Sequence, residues 1–244
     1  MRRSSGRWGE LARSAVALER WLLPAECLVC QGAAGPEDQL ICDPCRRRWR
    51  PVTSPWCERC GQSQVDDLPC RLCAEWPEGL RRARSAVWLD EGARKGVHDL
   101  KYSGWWRVTS QLARAMTGLE PLQKGIILVP VPLAPKRLAT RGYNQAERLA
   151  TALAELTGHP VLGAGLARRR ETPTQTKLTP EERRANVAGA FAGEGVRGER
   201  VVLVDDVLTT GATLGACATG LMAAGAVSVE AVTFARARAV GDFV

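Results

Sequence analysis

The sequence predicts an α/β protein, a parallel sheet preceded by a small metal-holding module with four cysteines per zinc. Three observations carry this prediction. Eight of the nine cysteines fall in four CxxC pairs near the N-terminus. From Ala83 onward, strand-like apolar runs alternate with helical periods. The run VVLV at 201–204 is apolar throughout and β-branched except at Leu203, the pattern of a strand buried on both faces.

The pairs Cys27/Cys30, Cys42/Cys45, Cys57/Cys60 and Cys70/Cys73 are separated by 11, 11 and 9 residues. A CxxC turn presents two thiolates to one metal, and two neighbouring turns close a tetrahedral four-thiolate zinc site. Chain order, 27/30/42/45 and 57/60/70/73, is the simplest assignment, and spacing leaves a cross-braced pairing open. Disulfides compete poorly in a chain without a secretory signal, and a redox CxxC has no need of fourfold repetition. Thiolate quartets also hold iron–sulfur clusters, which is the remaining metal alternative.

A chain of 244 residues with 45% hydrophobic content can bury a sizeable core. No apolar run approaches the ~18 residues of a membrane span, and Glu10 and Glu19 interrupt what would be a signal's apolar region. A cytoplasmic protein is expected. The formal charge of +8 points to anionic partners, although two filled zinc sites would bring it to about +4. Residues 1–80 hold 11 basic and 11 acidic side chains, whereas 81–244 hold 23 and 15. The positive excess therefore belongs to the second part.

Ahead of the first CxxC, Leu11, Ala15, Leu18 and Leu22 recur at helical spacing up to Pro24, predicting a short helix over the metal module. Five of the eight tryptophans, Trp8, Trp21, Trp49, Trp56 and Trp76, lie in this part. They suit stacking on single-stranded bases, but packing in a module short of aliphatic core is the simpler use. The stretch RRRWR at 46–50 reads as a basic patch or as the solvated end of a ribbon.

The second part opens with AVWLDEGARKGVHDLKYSG at 86–104, a strand, a turn and a helix start. A helical stretch at 108–116 and a strand IILVPVP at 126–132 follow. Ala146, Leu149, Ala150 and Leu153 form a buried stripe on a helix at 144–154. After a charged segment come the 201–204 strand, a helix of small residues at 213–224 and a strand VSVEAVTFA at 227–235. Cys217 sits among those small residues and reads as a buried packing residue.

Asp205 and Asp206 directly follow the apolar strand. Two carboxylates there need partners, and a vicinal diol such as that of ribose supplies donors for both. After Val207 and Leu208, TTGAT offers hydroxyls, a glycine that relaxes the turn, and free N–H groups at a helix start, which is a phosphate cradle. Pair and cradle together specify a sugar phosphate. A magnesium site or a plain strand–turn junction is the simpler alternative. Neither GxxxxGK[ST] nor GxGxxG occurs.

The stretch VVLVDDVLTTGAT at 201–213 resembles the phosphoribosyl pyrophosphate (PRPP) motif of type I phosphoribosyltransferases. Together with the four CxxC pairs, KYSG at 101–104, VPVPLAPKRLATRGYNQAERLA at 129–150 and RRRETPTQTKLTPEERRANVAGAF at 168–191, it makes residues 24–235 resemble the ComF family. The resemblance implies a parallel-sheet type I phosphoribosyltransferase fold with an N-terminal double zinc-ribbon module, divided into 1–80 and 81–244. It also implies a link to natural competence and uptake of transforming single-stranded DNA. Asp205 and Asp206 would hold the ribose hydroxyls, and Thr209, Thr210, Gly211, Ala212 and Thr213 the 5′-phosphate. Residues 131–136, with Val131 and Pro132, would form the pyrophosphate loop, and 168–184 a mobile loop over the reaction centre.

Departure of a diphosphate from C1 leaves cationic character on the sugar and negative charge on the leaving group. Such chemistry needs magnesium bound with PRPP and fixed cations. Lys136, Arg137 and Arg141 follow the pyrophosphate-loop strand, and the window 136–184 holds 10 basic against 5 acidic residues. That window serves as a lid, a DNA-contacting surface or a solvated loop. On this view Asp205, Asp206, Lys136 and Arg137 are the catalytic candidates, with Arg141 beside them. His98 is a weaker candidate, and His159 reads as an exposed turn residue. Little chain follows Ala235 to build a hood, so the metal module would have to cover the site. A PRPP-binding protein of DNA uptake, an active magnesium-dependent transferase with an unknown acceptor, and an adaptor with a vestigial site all remain open. Candidate partners are PRPP, single-stranded DNA and the DNA-uptake machinery.

Overall fold

Four strands order themselves around the VVLV run. The computed structural model describes residues 26–35, 39–64, 68–102, 104, 106–170, 187 and 189–238. Among these, the helices are α1 (Asp43–Arg47), α2 (Glu91–Tyr102), α3 (Thr109–Met116), α4 (Pro135–Arg141), α5 (Gln145–Thr157) and α6 (Ala212–Ala223), and the strands β1 (Leu80–Trp88), β2 (Ile127–Pro130), β3 (Leu166–Arg168), β4 (Phe191–Gly193), β5 (Arg200–Leu208) and β6 (Ser228–Arg236). The main sheet has the order β1-β6-β5-β2 and every pairing in it is parallel. The predicted helix at 11–22, Trp8, Trp21 and the greater part of the 168–184 loop lie outside the described residues.

Alternation along β5 divides the core into two layers. Val202 and Val204 pack with Leu112 of α3, Leu149 and Leu153 of α5 and Phe234 of β6. Val201 and Leu203 pack with Leu214, Cys217, Ala218 and Leu221 of α6 and with Phe191 of β4. Each of these Val, Leu and Phe side chains, removed from water, stabilises the fold by roughly 1.5–3 kcal/mol. Cys217 is fully buried, as its small-residue setting predicts. Where α6 meets β4, a Cβ on Gly220 would lie 2.7 Å from the Phe191 carbonyl oxygen, so only glycine permits this approach.

Both edges of the sheet are closed, which removes a template for pairing with other chains. On β1, the Val52 N–H donates to the Ala86 carbonyl and the Trp88 N–H to that of Arg50. On β2, the Leu128 N–H donates to the Pro160 carbonyl, and the Leu128 carbonyl accepts from the Leu162 N–H. Asn144 caps α5 by accepting from the Ala146 N–H at 3.1 Å. Its amide also donates to the Val131 carbonyl at 3.0 Å, tying the helix start to the segment leaving β2.

One sequence expectation changes in kind. The strand read as 201–204 continues to Leu208, so Asp205 and Asp206 lie inside β5 rather than after it. Aspartate is depleted in strands, but β6 pairs with β5 through Leu208 and carries it onward, whereas β2 stops at Pro130 opposite Val204.

Tryptophan also resolves by packing. Trp49 is buried edge-on to Phe234, with ring centroids 4.9 Å apart, and Trp76 is 7% exposed. Neither is free to stack on a base. Trp56 lies under the Arg84 guanidinium at 5.3 Å.

Candidate sugar-phosphate site and two metal centres

The eight paired cysteines form two clusters in chain order, 27/30/42/45 and 57/60/70/73, with the sulfurs of each within 4.8 Å of one another. Cys30 and Cys42 are 3.7 Å apart, Cys57 and Cys73 3.6 Å, and Cys60 and Cys70 3.6 Å. Zinc at ~2.3 Å from each of four tetrahedral thiolates separates the sulfurs by about 3.8 Å. The donor set and spacing fit two closed zinc sites.

The second cluster has an unusual neighbour. Arg236, at the end of β6 and 1% exposed, donates to the Gln62 side chain at 2.7 Å and the Cys60 carbonyl at 2.8 Å, and lies 3.5 Å from Cys60 Sγ. Burial pulls its pKa down, and the thiolates of Cys60, Cys70, Cys57 and Cys73 act against that pull.

Asp205 and Asp206 sit at the C-terminal side of the parallel strands, where open α/β sheets bind ligands. Successive side chains on a strand face opposite ways, and the two carboxylates meet different surroundings. Asp206 is 3% exposed, and its Oδ2 lies 2.6 Å from Lys101 Nζ at the end of α2. Among the described residues that ammonium is the partner of Oδ2, which has no hydrogen-bond donor there besides this ion pair. Asp205 Oδ1 accepts from the Asp206 N–H at 2.8 Å. Burial, reinforced by the Asp206 charge, pushes the Asp205 carboxyl well above the ordinary range, and Lys101 opposes the rise. Burial also pulls Lys101 down, but Asp206 and then Asp205 more than offset it, so Lys101 stays firmly protonated.

Three residues after Asp206, the backbone turns into α6. Gly211 takes φ of 80°, a left-handed conformation that favours glycine. Thr210 Oγ1 accepts from the Ala212 N–H at 3.4 Å. The N-cap, Gly211, has no side chain to cap α6, so the first-turn N–H groups beyond Ala212 are available to an anion. A cavity here is lined by Asp205, Val207, Leu208 and all residues of 209–214. The structure thus brings Asp205, Thr209, Thr210, Gly211, Ala212 and Thr213 to one concavity, with Asp206 beside it on Lys101.

The remaining candidates are more dispersed. Val131 is buried, and its N–H donates to the Val204 carbonyl at 3.0 Å, which places it one residue from the acidic pair. Pro132 follows, and Lys136 and Arg137 stand exposed on α4. Arg141 bonds to Gln145 and lies 5.3 Å over the Tyr102 ring. Arg168 lies over Phe191 at the base of the β3–β4 hairpin, from which the 169–190 segment springs. His98 is exposed beside Tyr102. His159 lines a different cavity with Lys124 and Glu199, at the opposite end of the sheet, where β2 and β5 begin. Lys101 was visible in KYSG, but nothing in that stretch names a partner 105 positions away; only the pairing of a buried carboxylate demands one.

The parallel sheet, the acidic pair and the glycine turn define a protein of the phosphoribosyltransferase class that carries two zinc sites. Residues 18–74 match the double zinc ribbon domain family, and 138–242 match the phosphoribosyl transferase domain family. The chain is similar to the DNA utilization protein YhgH of Salmonella typhi, 33% identical over 85% of this chain and 95% of that protein. It is also similar to the competence protein ComFC of Bacillus subtilis, 29% identical over 82% and 85% of the two chains. Among solved structures, the orotate phosphoribosyltransferase of Aeropyrum pernix is 23% identical, covering 61% of this chain and 67% of that one with a TM-score of 0.32. The chain belongs to the ComF family.

Proposed function

We propose that this chain is a PRPP-binding, phosphoribosyltransferase-like protein acting in the uptake of transforming single-stranded DNA in the cytoplasm. The observation that carries the reading is the continuity of Asp205 and Asp206 with a glycine turn and a helix start whose N-cap, Gly211, has no side chain, at the ligand-binding end of a parallel sheet. Carboxylates accept from the two ribose hydroxyls, and 209–213 receives the 5′-phosphate. Lys101 keeps Asp206 compensated until a hydroxyl arrives. Magnesium bound with the diphosphate would neutralise its charge, and the segment after β2, with Val131, Pro132, Lys136, Arg137 and Arg141, would supply the backbone groups and fixed cations for the diphosphate oxygens. The relationship to proteins named for competence and DNA utilization supports the cellular role. In this reading the chain divides at about residue 80, where β1 begins.

Calorimetry with PRPP and magnesium, and with a short single-stranded oligonucleotide, each alone and in competition, tests the proposal. PRPP with magnesium is expected to bind, and oligonucleotide affinity to fall with salt by a log–log slope of about 0.7 per neutralised phosphate. Absence of PRPP binding overturns the small-molecule half; oligonucleotide binding that is absent or independent of salt overturns the DNA half.

A further inference from the structure

The turn at 209–211 is held from outside its own strand and helix. Trp76, three residues beyond the last cysteine of the second cluster, donates its indole N–H to the Thr210 carbonyl at 2.8 Å. Its ring also lies against Gly211, where any Cβ would overlap it. The indole is rigidly mounted. The Trp76 N–H donates to the Cys73 carbonyl at 3.1 Å. Arg59, next to the ligand Cys60, spreads its guanidinium over the carbonyls of Cys73 at 3.1 Å, Trp76 at 3.0 Å and Pro77 at 2.8 Å. Pro77 in turn lies against Gly215 in the first turn of α6, 3.0 Å from where a Cβ would be.

A trans peptide is planar, with its carbonyl and N–H pointing opposite ways. Fixing the Thr210 carbonyl on the indole therefore fixes the direction of the Gly211 N–H, one of the donors at the head of the cradle. We infer that Trp76 is a positioning residue through which the zinc-loaded second cluster sets the affinity of the 209–213 loop for a ribose phosphate. The inference rests on the reading of that loop as a phosphate site.

The test combines amide hydrogen exchange at 209–213 with calorimetry of PRPP and magnesium, on W76F and on W49F as control. Trp49 is also buried, yet its indole nitrogen has no hydrogen-bond partner among the described residues, so W49F removes a ring of the same kind without a tether. W76F is expected to retain both zinc ions, speed exchange at 209–213 but not at 201–204, and weaken PRPP by about fivefold or more. W49F is expected to leave both readouts at wild-type values. Replacing Cys70 by Ser should speed the same loop amides, and should add little in a W76F background if the indole is the link. Wild-type exchange and affinity in W76F would overturn the inference, as would a C70S effect of equal size with and without the indole. If the wild-type protein binds no PRPP, the phosphate-site reading fails and the affinity claim fails with it, while exchange still decides whether the indole tethers the loop.

Discussion

The two zinc ribbons are built alike and attached to the sheet by different chemistry. The first is held by a neutral group: Gln111 of α3 accepts from the Leu40 and Ile41 N–H groups at 2.9 Å each and donates to the Ile41 carbonyl at 2.7 Å. Ile41 is fully buried against the helical layer beside Gly96. The second is held by guanidinium groups, Arg236 from the sheet and Arg59 from within the ribbon, and it touches the 209–211 turn. Four thiolates around Zn2+ leave net negative charge, and a buried cation beside them offsets it where water cannot. The first ribbon is thus a cover for the helical layer of the core. The second is tied to the sheet through the charge of Arg236 and reaches the 209–213 turn through Trp76.

The largest expected effect that separates the ribbons is loss of this cation. R236M removes the cation beside a buried anionic cluster together with its bonds to the Gln62 side chain and the Cys60 carbonyl, which should cost about 3–5 kcal/mol. Q111L strands two N–H groups and one carbonyl without any charge, at about 1–3 kcal/mol for each group that water fails to reach, so zinc content rather than unfolding free energy separates the two variants. Urea unfolding and zinc content read both. R236M should release zinc from one site of the two while Q111L retains both, and equal losses would remove the distinction.

A smaller effect concerns the acidic pair. The raised pKa of Asp205 means that the folded chain holds that proton more tightly than the unfolded chain does. Stability contributed by the protonated form is therefore lost as pH rises from the ordinary carboxylate value toward the folded one. Lys101 is raised too, and its contribution disappears only at alkaline pH. D205N abolishes the first dependence, so its stability relative to wild type should improve steadily from mildly acidic pH upward. A difference independent of pH in urea unfolding would show that Asp205 is not held above its usual range.

What was legible in the sequence depends on how far apart the partners lie. The eight cysteines from Cys27 to Cys73 read as metal ligands because ligand spacing is local, with chain order the simplest pairing, and the acidic pair with TTGAT stands out as a candidate site because the stretch is continuous. The parallel sheet followed from the VVLV run, which needs burial on both faces, and from strands that alternate with helices. Trp76 and Arg236 were not legible in their roles. Their partners, Thr210 and Gln62, are 134 and 174 positions away, and neither side chain carries a local signal for a contact that only the fold creates. The true length of β5 was hidden for a related reason, since Asp205 and Asp206 speak against a strand and only pairing with β6 overrides them.

The most direct test of the account is calorimetry of PRPP and magnesium with wild-type protein and the D205N/D206N double variant. Charge-assisted hydrogen bonds to the ribose hydroxyls are worth about 1.5–3 kcal/mol each, or roughly tenfold or more in Kd for each carboxylate neutralised. The account predicts that the double variant keeps two zinc ions and a cooperative unfolding transition yet loses PRPP affinity by at least about tenfold. Binding at wild-type affinity would contradict it.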